Sequence, residues 1–232
     1  MKPISSRVDC VILGGGGHAA VVIDALRSSR PGLGLAVLDP DGSKWGESIL
    51  GIPIVGGDDR LTELIERGAR SFVVGLGGTG DNLPRKALFE RGIGLGIRAE
   101  TVIHATAVCS PWAGIGGGSV VLPGAVVNAR ASLGVNVIVN SGSIVEHDCN
   151  IEDHVHIATG ARLAASVRVG ACAHVGAGAV VLQGLSIGER AVVGVGAVVV
   201  RDIQAGDTVV GNPAKPLERH RGGRAGSEAP LS

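Results

Sequence analysis

Tyrosine is absent from this chain of 232 residues, and two Phe with two Trp bring the aromatic share to only 2 %. A surface that stacks unpaired bases on aromatic rings is not built from so few. An excess of either charge is missing too. Lys and Arg number 21, Asp and Glu number 21, and the formal net charge is zero, so no basic field exists to hold a nucleic acid. No uninterrupted apolar run reaches the ~18 residues of a membrane-spanning helix. The opening residues MKPISSRVDC lack the apolar stretch of a signal peptide. The four cysteines (Cys10, Cys109, Cys149, Cys172) form no Cys-x-x-Cys pair. They read as reduced structural thiols of a cytoplasmic protein.

Glycine, by contrast, is abundant at 39 residues, and the apolar residues keep an unusual beat. Every sixth residue from Ile103 to Val199 is aliphatic, with Cys109 as the one exception. Neither an α-helix nor a hairpin sheet repeats at six; a hexapeptide repeat does, and it marks a parallel β-helix whose coils are three hexads long. The residue two before the aliphatic is usually small, as in Ala125, Ala131, Ser143 and Ala161. That is expected where a narrow triangular column leaves little room at its corners. Glycine follows many of the aliphatics (Gly116, Gly134, Gly170, Gly176, Gly188, Gly194), where the expectation is a positive φ at the turn. A single slender column has a poor ratio of core to surface, which favours association, most simply as a trimer with parallel axes.

Residues 1–98 follow another grammar. Apolar runs at residues 8–13, 35–38 and 72–74 read as strands, and residues 19–28, 61–67 and 82–91 have helical spacing. Alternating strands and helices imply a small parallel sheet, a Rossmann-like α/β domain. The division predicted is 1–98 for that domain, 99–216 for the β-helix and 217–232 for a mobile tail.

Three places could carry chemistry. Gly14 to Ala19 matches a Gly-x-Gly-x-x-Ala turn between a strand and a helix, a phosphate-binding arrangement, and Asp39 ends the next strand where a ribose-binding acid would lie. Fewer than a hundred residues leave no room for the second half of a dinucleotide site, so a sugar nucleotide fits better than NAD. The densest polar cluster in the repeat runs from Asn140 to Cys149. There His147 is a competent base near neutral pH, and Asp148 can fix its tautomer. His156 and His174, one coil apart, should stack on one face. A zinc site between them would need further imidazoles at a spacing the chain lacks, so no metal is expected.

Taken in this order, the GGGGHA loop at 14–19 and a hexapeptide column carrying EHDC at 146–149 resemble one family. It is the bacterial sugar acyltransferases that include UDP-4-amino-sugar N-acetyltransferases, GDP-perosamine N-acetyltransferase and sialic acid O-acetyltransferases. The resemblance extends to Gly211-Asn212-Pro213-Ala214-Lys215, a motif that closes such columns. It implies a left-handed β-helix, a homotrimer, and acetyl transfer from acetyl-CoA to the amino group of a UDP-, GDP- or dTDP-linked amino sugar. O-acetylation of a sugar hydroxyl and a non-catalytic scaffold are the alternatives.

By resemblance, His147 is the general base and Asp148 its support. Gly16, Gly17, His18, Asp39 and Gly77 hold the sugar nucleotide, and Asn140 helps to place the acceptor. His156 hydrogen-bonds acetyl-CoA, the backbone at Ala165 meets the thioester oxygen, and Ala177 and Val195 contact the pantetheine arm. One departure stands out. Where the family has a compact Gly-Asp-Asn after the third strand, this chain reads Gly75-Leu76-Gly77-Gly78-Thr79-Gly80-Asp81-Asn82, a longer loop beside the nucleotide pocket.

Overall fold

A computed structural model describes residues 7–217 of the chain. Of the segment expected to be a mobile tail, all but Leu217 lies outside the described residues. Strand β1 (Cys10–Leu13) is apolar and buried throughout, the pattern of a central parallel strand covered on both faces. There follow α1 (Gly17–Ser29), β2 (Leu35–Leu38), β3 (Ser48–Ile49), β4 (Ile52–Gly56), α2 (Leu61–Glu66), β5 (Ser71–Val74), α3 (Leu83–Gly94) and β6 (Arg98–Ala99). The sheet order is β3-β4-β2-β1-β5-β6, and only β3 with β4 is antiparallel. The order reverses at β1, which lies between β2 and β5. The loops leaving β1 and β5 therefore flank a crevice at the carboxyl ends of the strands, where open α/β sheets bind ligands.

From Val102 the chain winds as a three-sided parallel β-helix. Its first face stacks Val102–Ile103, Val120–Val121, Ile138–Val139, His156–Ile157, His174–Val175, Val192–Val193 and Thr208–Val210. The second face runs from Val108–Cys109 to Val198–Val199, and the third from Gly114–Ile115 to Ser186–Ile187. The six-residue aliphatics point inward from Val121 to Val199 and form one core with the small corner residues Ala125, Ala131, Ala161 and Ala179. Ile103, on the first rung, is 36 % exposed because nothing stacks beyond it on the axis.

The expectation for the corner glycines is corrected by the structure. Gly116, Gly176 and Gly188 do not have positive φ; a Cβ there would lie 2.4, 2.5 and 2.3 Å from backbone atoms of the next coil. They allow close stacking. From Ile115 to Val193 the left-handed residue comes three positions after each aliphatic, as at Gly124 (φ +68°), Asn136 (φ +54°) and Asp148 (φ +61°).

The α/β unit packs on the first face of the column. Val22, Ile23 and Leu26 of α1 share a buried cluster with Val102, Val120, Leu122 and Ile138. Each such side chain contributes about 1.5–3 kcal/mol by leaving water. Arg85 of α3 bolts the two units together. It is fully buried, donates to the carbonyl of Leu76, and reaches Asn136 Oδ1 at 2.7 Å on the column. No carboxylate pairs with it in the described structure, and burial lowers its pKa to about 9.

Candidate active site

His147 and Asp148 occupy the corner between the second and third faces, because they follow the inward Val145 and precede the strand Asn150–Ile151. Asp148 adopts the left-handed corner conformation, and Arg130, at the same corner one coil earlier, does so as well (φ +59°). Coil stacking thus sets guanidinium over carboxylate: Arg130 Nε to Asp148 Oδ1 is 2.6 Å and Nη2 to Oδ2 is 2.8 Å. His147 Nδ1 lies 2.6 Å from Asp148 Oδ2. Arg130 first, and His147 second, hold the Asp148 carboxyl well below the usual carboxylate range. An ionised carboxylate only accepts, so the contact places a proton on His147 Nδ1, and in the neutral form of this half-exposed ring the lone pair is on Nε2. Glu146 Oε2 accepts from Asn128 Nδ2 at 2.9 Å and from the His147 backbone N–H at 3.3 Å, which steadies the turn. Ala165 stands one coil above His147 at this corner, and Ser166 N–H donates to the His147 carbonyl at 3.0 Å.

Asn140 lies at a different corner, between the first and second faces, with Ala177 and the strongly exposed Val195 above it. Its Oδ1 accepts from Ser141 N–H at 2.8 Å, which fixes the amide, and its Nδ2 lies 3.1 Å from His156 Nε2. His156 is buried, and its Nδ1 is 2.9 Å from the carbonyl of Gly78. Burial first, then His174, Arg85 and His18, lowers its pKa to about 3, so the ring is neutral. The expected stack is present: His156 pairs with His174 between coils, with ring centroids 4.9 Å apart and edge to face.

At the crevice, Gly16 caps α1 with no side-chain hydrogen bond, and the first turn of α1 carries no acid. Added Cβ atoms on Gly16 and Gly17 would meet nothing within 4 Å, so the helix N-terminus faces open space suited to an anion. His18 Nε2 is buried without a partner, and burial together with Arg85 lowers the ring's pKa to about 3. Gly77 lies beside His18: a Cβ added there would be 3.4 Å from the His18 Cβ, ordinary van der Waals contact. Asp39 is buried and already committed: its carboxylate accepts from Gly15 N–H (2.7 Å) and Asp41 N–H (2.9 Å), with Lys44 Nζ at 3.4 Å. It shapes the glycine turn from beneath. Trp45, which sequence reasoning passed over, donates Nε1–H to the Asp39 carbonyl at 2.9 Å and is 43 % exposed beside this turn.

Within one chain, then, the structure joins His147 with Asp148, Asn140 with His156, and His18 with Gly77, and it leaves the first two pairs on separate corners. Arg130, Asn128 and Arg85 were missed by sequence reasoning. The first two carry a signal, since each stands eighteen residues before its partner, one coil of the repeat. Among the described residues no three His, Cys, Asp or Glu side chains are grouped to hold a metal ion. No described helix is long and apolar enough to cross a membrane.

A family profile described as the PglD N-terminal domain matches residues 9–91. No curated protein sequence gives a significant match. Among solved structures, a variant of perosamine N-acetyltransferase from Caulobacter crescentus, in complex with CoA and GDP-perosamine, superposes with a TM-score of 0.86 at 36 % identity. The match covers 92 % of this chain and 99 % of that one. The acetyltransferase domain of PglB from Neisseria gonorrhoeae, in complex with acetyl coenzyme A, gives 0.79 at 36 % identity over 91 % and 100 %. WeeI from Acinetobacter baumannii gives 0.80 at 28 % identity over 90 % and 100 %.

Proposed function

The chain belongs to the sugar acetyltransferases that join a PglD N-terminal domain to a hexapeptide β-helix, and on that premise we infer the reaction it catalyses. It transfers the acetyl group of acetyl-CoA to the amino group of a nucleotide-linked amino sugar. The observation that carries this reading is the triad of Arg130, Asp148 and His147. It engages Nδ1 of a half-exposed imidazole and leaves Nε2 without a protein partner among the described contacts, free to take the proton of an amine.

A sugar ammonium is not a nucleophile. His147 Nε2 takes a proton from the amine as its lone pair attacks the thioester carbonyl. The tetrahedral oxyanion forms against the backbone N–H at Ala165. The C–S bond then breaks, and the departing CoA thiolate recovers the proton from His147. Proximity supplies much of the rest, and the step needs no metal or covalent intermediate. The sugar nucleotide lies in the crevice on Gly16, Gly17, His18 and Gly77, with Asp39 bracing the loop. The acyl carrier lies along the corner of Asn140, Ala177 and Val195, with His156 behind it.

His147 and Asn140 sit on separate corners of one column, so the site is complete only when a second copy sets its His147 corner against this chain's Asn140 corner. This supports a homotrimer of left-handed columns, with units at 1–98 and 99–216. The second face, with Val108 62 % exposed, would turn inward there. A soluble acetyltransferase using nucleotide sugars fits the cytoplasm and polysaccharide biosynthesis. The test is CoA thiol release from acetyl-CoA with UDP-, GDP- and dTDP-amino sugars. At least one should be acetylated, and His147→Ala should lower kcat by ~10²-fold or more with little change in acetyl-CoA affinity. Silence with every acceptor, or unchanged turnover in the variant, would overturn the reading.

A further inference from the structure

The lengthened loop after β5 touches both halves of the site. Gly77 packs on His18 of the glycine turn, the Gly78 carbonyl meets His156 Nδ1, and Asn82 Nδ2 donates to the carbonyls of Cys172 and Ala173 on the column (3.3 and 2.9 Å). Asn82 stands at the N-cap of α3, yet its side chain makes no capping bond and is spent on this docking instead.

A carbonyl oxygen can only accept, so the Gly78 contact places the His156 proton on Nδ1 and leaves Nε2 as an acceptor. Asn140 is oriented independently by Ser141 N–H, which puts its Nδ2 toward that acceptor. The two assignments agree, and they use both ring nitrogens of His156. One Nδ2–H of the half-buried Asn140 remains for a ligand.

We propose that His156 is a positioning residue that acts through Asn140, and that the carbonyl of Gly78 sets its tautomer. The sugar-nucleotide loop thereby fixes the amide that grips the acceptor. The role of Asn140 toward the acceptor rests on the function proposed above; the tautomer and the order of the contacts do not. A direct hydrogen bond from His156 to acetyl-CoA, which family resemblance implies, would require one of its two protein bonds to break.

Two measurements test this. Nitrogen-15 NMR of the histidine rings in the full-length protein should show a neutral ring protonated on Nδ1, distinct from that of His147, that persists from pH 6 to 8 and is lost in His156→Gln. An Nε2–H ring or an imidazolium at that position would overturn the proposal whatever reaction the protein catalyses. Steady-state kinetics then separates indirect from direct action. Asn140→Ala and His156→Asn should each raise the acceptor KM by roughly threefold to tenfold, the effect of one lost neutral hydrogen bond. The double variant should be no worse than the worse single, as for two residues acting in series. His156→Gln, which keeps an acceptor near the Nε2 position, should restore most of the loss. Multiplying effects, or a change in acetyl-CoA KM with acceptor KM untouched, would mean a direct contact. Reduced kcat with both KM values unmoved, or no change at all, would mean that the residue only fills space. Each of these results ends the proposal.

Discussion

Arg130 and Asp148 stand eighteen residues apart at one corner of the column, and the guanidinium grips the same carboxylate that holds His147 Nδ1. His147, the proposed base, is thus oriented by a side chain that is itself fixed by the coil beneath. Asp148→Asn keeps the shape but offers an amide that can donate to Nδ1 and hold the wrong tautomer. The expected result is a fall in kcat of roughly 10-fold to 10²-fold with little change in either KM, read by steady-state kinetics.

Arg130→Ala addresses the other side of the pair. Arg130 is the first cause of the lowered Asp148 pKa, so removing it returns that carboxyl toward its usual range. The sign follows: a depressed carboxyl stays ionised until the pH falls far, and a relaxed one protonates sooner. The acidic limb of the kcat profile should therefore move to higher pH in Arg130→Ala, with activity near pH 8 falling least. Coincident acidic limbs in variant and wild type would refute the coupling.

Buried imidazoles make a stability prediction. His18 and His156 are both lowered from an ordinary 6.5 to about 3, and burial also lowers His154 and His174. Between those values the unfolded chain binds more protons than the folded one, so stability rises with pH through this window and is lost as pH falls from about 6.5. At pH 5.5 the loss is on the order of 1 kcal/mol for each of His18 and His156. Urea unfolding at pH 7.5 and 5.5 should show this, and His156→Gln should shrink the difference.

Much of this was legible in the sequence, and for a clear reason. The hexad beat reports inward residues directly, so the column, its core from Val121 to Val199 and the stacking of His156 on His174 could be read before any coordinates. The His147–Asp148 contact is between neighbours in sequence. The edge strand β3 and its neighbour β4 have no clear signal in the sequence, since Pro53 interrupts the pattern there and the register is set by the turn at Leu50 and Gly51. Arg85 carries no signal of burial in the sequence; only the packing of α3 against Asn136 makes it interior. The corner glycines misled because sequence shows that a Cβ is missing, not whether torsion or the next coil forbids it.

Arg85→Ala should be among the most damaging single changes far from the base. It removes a buried side chain and leaves Asn136 Oδ1 and the Leu76 carbonyl without their donor. A loss of about 3 kcal/mol or more is expected. Arg85→Met keeps volume and loses only the donors, so it should cost less. Limited proteolysis of both should show earlier cutting at the junction of the two units, near residues 94–101, than in wild type.

The two kinds of corner glycine separate by substitution. At Gly176 a Cβ would lie 2.5 Å from the Val193 carbonyl oxygen and 2.8 Å from Val195 N, both backbone of the following coil. Neither can rotate away, so Gly176→Ala has to pry the coils apart, at about 1–3 kcal/mol. At Gly178 φ is +68° and a Cβ would meet nothing within 4 Å, so only the torsion opposes it. Gly178→Ala should cost about 1 kcal/mol. Gly178→Asn should cost less, since Asn136 occupies an equivalent corner in the same conformation. Because Val195 belongs to the corner proposed for the pantetheine arm, Gly176→Ala should also raise the acetyl-CoA KM. Equal destabilisation by Gly176→Ala and Gly178→Asn in urea unfolding would show that torsion, not coil contact, selects glycine at both.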